Sequence, residues 1–464
     1  MKNNFKYYDV AILGNGIIGF LSALYIKDKF PNKKVAIIGH DNFKYSASLA
    51  AGAMHNVYCE IEKDFYNSIL EQSNFEMGIK SRQEFKKIFK KFQFNDAITA
   101  KDTLFYIKNE SSEFERDNFF AACDIAKNDK VLIKPSKSEI NKYFNGNIKS
   151  NNFECFKIKN EFAFNPVKII EKIVEFAKKN KIEIFSKKIK NIKIKKDFYI
   201  IDNEFKAKKI VIAAGYGSYN IGKQLFNPVP VLKGVGSAFL LKNDFFKNFN
   251  HVIRTSDRGG AQCGIHLLPY NKKRGEVYLG AGNYISNEEE PKARAETLRY
   301  LINTIENELV PKNIIYKSTC EIFFGYRPRS LDKYPSIGPV NENLFYISGT
   351  YRSGITWAAF IANQVVKWLE KDKVDDLLKI YKPDRKLNTY GTLDTACNHY
   401  AKSRVSNLIE HEIINFKNKK KHDQLLEKFY NFAKKKNLEV IKKNNFKKNF
   451  VADPDCYTFW NKNE

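Results

Sequence analysis

The run VAILGNGIIGFLSALYI, residues 10–26, constrains the chain more than any other stretch. Val10–Leu13 is a short apolar segment suited to a buried strand, and Phe20–Ile26 continues as an apolar helix. Between them Gly14, Gly16 and Gly19 give the spacing G-x-G-x-x-G. In such a turn the first glycine permits the sharp bend and the second lets the backbone approach a pyrophosphate. The third lets helix and strand pack closely. The helix N-terminus offers unpaired N–H groups and a positive dipole end to phosphates. A second apolar strand, Val35–Ile38, follows Lys33 and Lys34 at the distance a βαβ unit requires. A lysine-bearing start before an apolar run also has the outline of a secretory signal, but the glycines interrupt it and it is too short to span a bilayer. The stretch reads as a dinucleotide site.

A chain of 464 residues has room for two or three domains, and 43% hydrophobic residues make it globular rather than disordered. No run of about 18 apolar residues occurs, so no transmembrane helix is expected. The seven cysteines are odd in number, scattered and never spaced C-x-x-C, which suits a reducing, cytoplasmic setting better than a disulfide framework. The net charge of +27 admits a nucleic-acid partner or another anionic surface. Lysine is abundant alongside Asn, Ile, Phe and Tyr and is spread along most of the chain, so a solvated lysine surface of compositional origin is the plainer account. Clusters such as KKIKNIKIKK (187–196) and KNKKKHD (417–423) keep the first reading open.

Regular patterns return at intervals. PVKIIEKIVEFAKKNKIEIF carries apolar residues at helical spacing, and IEIF, IKNIKI and FYIID read as strands. KIVIAAGYGS (209–218) is another buried strand running into glycine, while residues 228–283 alternate strands and turns in the manner of an antiparallel sheet. KARAETLRYLINTIENEL reads as a helix, and beyond about residue 385 lysine-rich helical patterns follow with no further glycine motif. The nucleotide-binding pieces thus lie at the start, middle and end of one unit, with sheet-rich material between them. A doubly wound domain interrupted by a substrate domain fits that order.

Four segments stand in order: GNGIIG, SLAAGAMHNVYCEIE, IVIAAGYGS, and GYRPRSLDKYPSIGP with NLFYISGTYRSGI. Together they resemble the D-amino-acid-oxidase family of FAD flavoproteins, most closely its glycine oxidase branch, over roughly residues 8–370. The resemblance implies an α/β fold with a discontinuous Rossmann-like FAD-binding domain (1–75, 150–225 and 320–385). An inserted, mainly antiparallel β-sheet substrate domain would take 76–149 and 226–319, and a basic helical C-terminal extension 386–464. Non-covalent FAD would contact Gly14, Asn15, Gly16, Ile17, Ile18 and Gly19 in the first turn. The small run Ser46, Ala47, Ser48, Ala51, Gly52 and Ala53 would let main-chain N–H groups and hydroxyls reach a phosphate or the flavin ring. Ile189 would face the adenine, Gly215 would turn beneath the cofactor, and Thr350, Tyr351, Ser353, Gly354, Ile355 and Thr356 would run along the flavin.

Two departures accompany the match. Gly39 stands where an acidic residue normally accepts hydrogen bonds from the ribose; Asp41, two positions on, or water would take that part. Thr350 stands where the family usually has histidine. For substrate, the resemblance points to Arg327 in Y-R-P and Arg352 in Y-R-S-G-I, since a planar guanidinium binds a carboxylate through two parallel hydrogen bonds. His266, in GIHLLP, replaces a substrate-facing tyrosine, and Asn283 replaces an apolar pocket residue, which suggests a larger or more polar substrate than glycine. His55 could also point toward the pocket. The implied activity is oxidation of the C–N bond of an amino acid or related carboxylated amine. Hydride passes to the flavin, the imine hydrolyses, and no acid/base dyad is required. A related reading is a tRNA-modifying flavoprotein that removes a carboxymethyl group from a wobble-uridine side chain. A third is a non-catalytic, flavin-bearing assembly protein. No metal is expected: Cys397 and His399, two apart, would point to different faces of a helix and read as an ordinary surface segment.

Overall fold

The computed structural model describes residues 5–40, 46–143, 153–259, 262–371, 373–415 and 417–460. The fold starts as the glycine pattern requires. Strand β1 (Lys6–Leu13) leads through the turn into helix α1 (Ile17–Lys29) and strand β2 (Val35–Gly39), which lies parallel to β1. On its other side β1 pairs in parallel with β3 (Phe205–Ile212). β3 divides its far edge. Its first half pairs antiparallel with Phe198–Ile201, and its last residues pair in parallel with Leu344–Ser348. All five residues of β2 are buried, the mark of a strand covered on both faces.

One face of this sheet is covered by α1, by α2 (Ile69–Lys91) and by α3 (Gly354–Lys371). The sequence reading allots residues 76–149 to the substrate domain, but α2 packs on α3 in the first core. Met77, Phe85, Ile88 and Phe89 form its apolar stripe, and burying that stripe against α3, Phe162 and Phe164 decides where it sits.

The second large sheet carries β4 (Val231–Lys242), β5 (Gln262–Asn271), β6 (Glu276–Ser286) and β7 (Thr319–Ser330). β4 lies between β7 and β6, and β6 pairs with β5, all antiparallel. Val252–Arg254, Thr103–Lys108 and Phe153–Ile158 extend the sheet beyond β5. Residues 153–158 and 319–330, which the sequence reading allots to the FAD-binding domain, pair into this sheet. β7 is the bridge between the two parts, because its far end delivers Arg327 and Arg329 back to the first sheet's loops.

The C-terminal extension folds onto this body. Helices α4 (Leu393–Glu410) and α5 (Lys419–Lys443) pack on each other around Cys397, Ala433, Val440, Cys456, Tyr457 and Trp460. Cys397 is fully buried there, so the segment around it is core and not the surface stretch expected from sequence. Among the described residues no group of His, Cys, Asp and Glu is arranged to hold a metal, and no helix is long and apolar enough to cross a membrane.

Candidate active site

The glycines of the first turn each answer a contact. Gly14 has φ +130°, and a Cβ there would lie 2.3 Å from Ala213 O. A Cβ on Gly19 would lie 2.1 Å from Gly14 O, so only glycine lets α1 start this close to β1. Gly16 is the N-cap of α1 and offers no side-chain cap. Ile17 N–H instead donates to Ser48 Oγ at 3.0 Å, which ties the small-residue run to the helix N-terminus.

These parts line a cleft of about 640 Å³. It runs past Asn15, Ile18, Ser46 and Ala51, along Ile189 beside Gly215, and ends against Thr350, Tyr351, Gly354 and Ile355. Gly215 adopts φ +60°, and a Cβ there would meet nothing within 4 Å. A helix N-terminus with a glycine at its cap position, beside a small-residue run and opening into the cleft, fits a dinucleotide. Asp41, expected at the ribose, lies outside the described residues. The absence of an acid at 39 has a steric reason. Asn15 lies over Gly39, where a Cβ would come 2.3 Å from its Cγ, and Asn15 Nδ2 donates to His40 O at 2.9 Å.

A smaller cavity of about 90 Å³ adjoins the cleft, sharing Ala47, Ala51, Arg327, Arg352 and Ile355 with it. Gly52, Ala53, Ser353 and Thr356, expected at the cofactor, line this second space. Arg327 and Arg352 are brought together here, joined by His266 and by Arg254. Arg327 lies flat on the sheet: a Cβ on Gly236 would sit 2.4 Å from its Cζ. Its Nη1 donates to Gly282 O at 3.1 Å and to Asn283 Oδ1 at 3.3 Å, while Asn283 Nδ2 donates to Tyr351 OH. Asn283 thus ties Arg327 to the segment that borders the cleft.

Arg352 is held by two carboxylates, donating to Asp257 Oδ2 at 2.7 Å and Glu60 Oε2 at 2.9 Å. Glu60 also accepts from Arg254 at 2.8 Å. Burial opposes its charge, but Arg352 and Arg254 together hold its carboxyl below the usual range. Burial pushes the Asp257 carboxyl up in spite of Arg352. His266 stacks on Tyr278 with ring centroids 5.8 Å apart, and its Nδ1 has no hydrogen-bond partner. Burial, reinforced by Arg254 and Arg327, drives its pKa well below the ordinary value, so the ring is neutral.

Sequence reasoning missed Glu60, Asp257 and Arg254. Glu60 lies in the quoted run VYCEIE but is unremarkable there, and its partners Arg254 and Arg352 are 194 and 292 residues away. His55 is not at the site. It is buried between Phe162, stacked at 4.9 Å, and Phe85, and desolvation takes its pKa down to about 3. Beyond Arg352 a further chamber of about 120 Å³ carries residues of the extension, namely His399, Ser403 and Asp455. His399, only partly exposed, therefore lines a cavity.

A dinucleotide cleft that opens beside an arginine-lined cavity on an antiparallel sheet is an arrangement that suits a flavin-dependent oxidoreductase. Residues 9–368 match the DAO family, described as FAD dependent oxidoreductase, and the chain belongs to that family. Its cofactor is FAD. No curated protein sequence matches the chain. Among solved structures, glycine oxidase from Geobacillus kaustophilus is similar at 17% identity and a TM-score of 0.68, covering 82% of this chain and 100% of that one. Iminodiacetate oxidase from Chelativorans sp. BNC1 is similar at 14% identity and a TM-score of 0.65, over 81% of this chain and 98% of that one. L-α-glycerophosphate oxidase from Mycoplasma pneumoniae, with FAD bound, is similar at 18% identity and a TM-score of 0.60, over 83% and 98%. At such identities the likeness establishes the fold.

Proposed function

We propose that the protein oxidises the C–N bond of an amino acid or a related carboxylated amine. One observation carries the reading: three arginines, Arg254, Arg327 and Arg352, line a single small cavity that shares residues with the FAD cleft. Against them in that cavity stands one carboxylate, Glu60, so the space favours an anion. Arg327 and Arg352 orient the substrate carboxylate. His266, neutral, lines the same cavity beside the two arginines. Its neutrality matters, because an imidazolium would oppose an approaching ammonium. Ala47, Ala51, Ala53 and Ile355 line the walls with apolar carbon, which keeps water out and strengthens the polar contacts. The Gly14–Gly19 turn, Ser48 and the residues from Thr350 to Ile355 would hold FAD, which when bound would supply the two-electron oxidation. The polar groups at 266 and 283 and the further chamber suit a substrate longer than glycine.

The test is anaerobic bleaching of the flavin by a library of amines, amino acids and hydroxy acids, with peroxide assayed afterwards in air. Carboxylated amines should bleach it and decarboxylated counterparts should not. Bleaching by hydroxy acids or polyols alone would replace this reading with C–O oxidation.

A further inference from the structure

The family match stops at residue 368, yet helix α4 beyond it grips the loop that holds Arg352. We propose that α4 is a positioning element of the active site, acting on Arg352 through Asp257; the proposal rests on the carboxylate-binding reading given above.

The connection can be followed bond by bond. Ser406 Oγ, on α4, donates to Arg258 O at 2.6 Å and meets Ser112 Oγ at 2.7 Å. Gly259 has φ +95°, and a Cβ there would lie 2.5 Å from Ser403 O, so the loop and α4 are in backbone contact. The Arg258 side chain, wholly buried, meets Glu115 at 2.8 Å, Glu308 at 3.0 Å and Glu410 of α4 at 3.5 Å. Glu410 is fixed in turn by Tyr300 OH at 2.8 Å. The residue preceding this anchored arginine is Asp257. Its Oδ1 accepts from Gly259 N–H at 2.7 Å, and its Oδ2 receives Arg352 Nη1. The peptide between Asp257 and Gly259 is therefore pinned on both sides, and with it one of the two carboxylates that aim the Arg352 guanidinium. The other, Glu60, is fixed independently by Arg254. His399 and Asp455 place the extension on the same side of Arg352, along the chamber wall.

The experiment uses full-length, FAD-loaded protein and acetate as the carboxylate probe, read from the flavin absorption band. Ser406→Ala should weaken acetate binding about fivefold, the size expected for losing one hydrogen bond that fixes an ion pair, while FAD content stays unchanged. The loss should shrink to less than about twofold in an Asp257→Asn background, because an effect transmitted through Asp257 cannot add to its removal. A merely structural effect would appear equally in both backgrounds and would overturn the proposal, as would acetate binding unchanged by Ser406→Ala. Should Ser406→Ala fail to fold, Glu410→Gln takes its place in the same cycle with the same expectations. Holoprotein that is indifferent to acetate before any substitution would sink the carboxylate-binding reading and the positioning role with it. A wild-type response with flat variants would sink the positioning role alone.

Discussion

Arg327 depends on a residue with no side chain. Its guanidinium lies where the Cβ of residue 236 would be, so Gly236→Ala must displace it. That substitution should weaken acetate binding about tenfold, approaching Arg327→Ala, while FAD remains bound. Acetate affinity within twofold of wild type would show that the guanidinium position is not what binds the carboxylate. His55 makes a different prediction. Its pKa is about 3 in the folded protein and near 6.5 in an unfolded chain, so the unfolded state binds the extra proton between those limits. Its stabilising share is complete above pH 6.5. It falls by about 1.4 kcal/mol for each unit the pH drops toward 3. His55→Phe, which suits the stack on Phe162, should flatten the fall in denaturant midpoint between pH 6.5 and 4.5. Equal slopes for the two proteins would remove His55 from the account.

At the level of elements, the turn from β1 into α1 and the end of β2 act as one unit. The acid that usually closes the ribose end of a dinucleotide site cannot be restored alone, because Asn15 fills the space above Gly39. Gly39→Glu should therefore lower FAD retention on gel filtration. Combining it with Asn15→Gly should recover retention to wild-type level or better. A gain from Gly39→Glu alone would show that Asn15 yields. Such turns were legible in the sequence because their chemistry is local: glycine spacing, apolar runs and small residues follow one another within about twenty positions. The parallel pairing of β1 with β2 and the antiparallel run from β4 to β6 follow from that pattern, whereas Arg327 and Arg352, which line one cavity, are pointed to only by the family resemblance. What escaped was non-local. Nothing near Glu60 or Arg254 announces a partner 194 residues away, and the amphipathic stripe of α2 does not say which core receives it.

For the whole molecule, the question is whether residues beyond 385 form an appendage or part of the body. Arg329, on β7, is 1% exposed and its carboxylate partner is Asp453, near the far end of the chain. The same arginine lies 4.8 Å above the ring of Tyr351, which borders the FAD cleft. Removing one member of a buried ion pair leaves an uncompensated charge and costs about 3–5 kcal/mol, whereas replacing both by apolar groups is often close to neutral. Asp453→Asn should accordingly lower the denaturation midpoint strongly, and a cut after residue 385 should give little folded holoprotein, because Arg329 and Arg258 both lose carboxylates supplied by the extension. The double variant Arg329→Met with Asp453→Leu should regain most of the stability lost by Asp453→Asn. If the cut chain instead folds, holds FAD and melts as the full chain does, the extension is an independent attachment. Since β7 also carries Arg327, two residues before Arg329, that result would separate the extension from the carboxylate site as well.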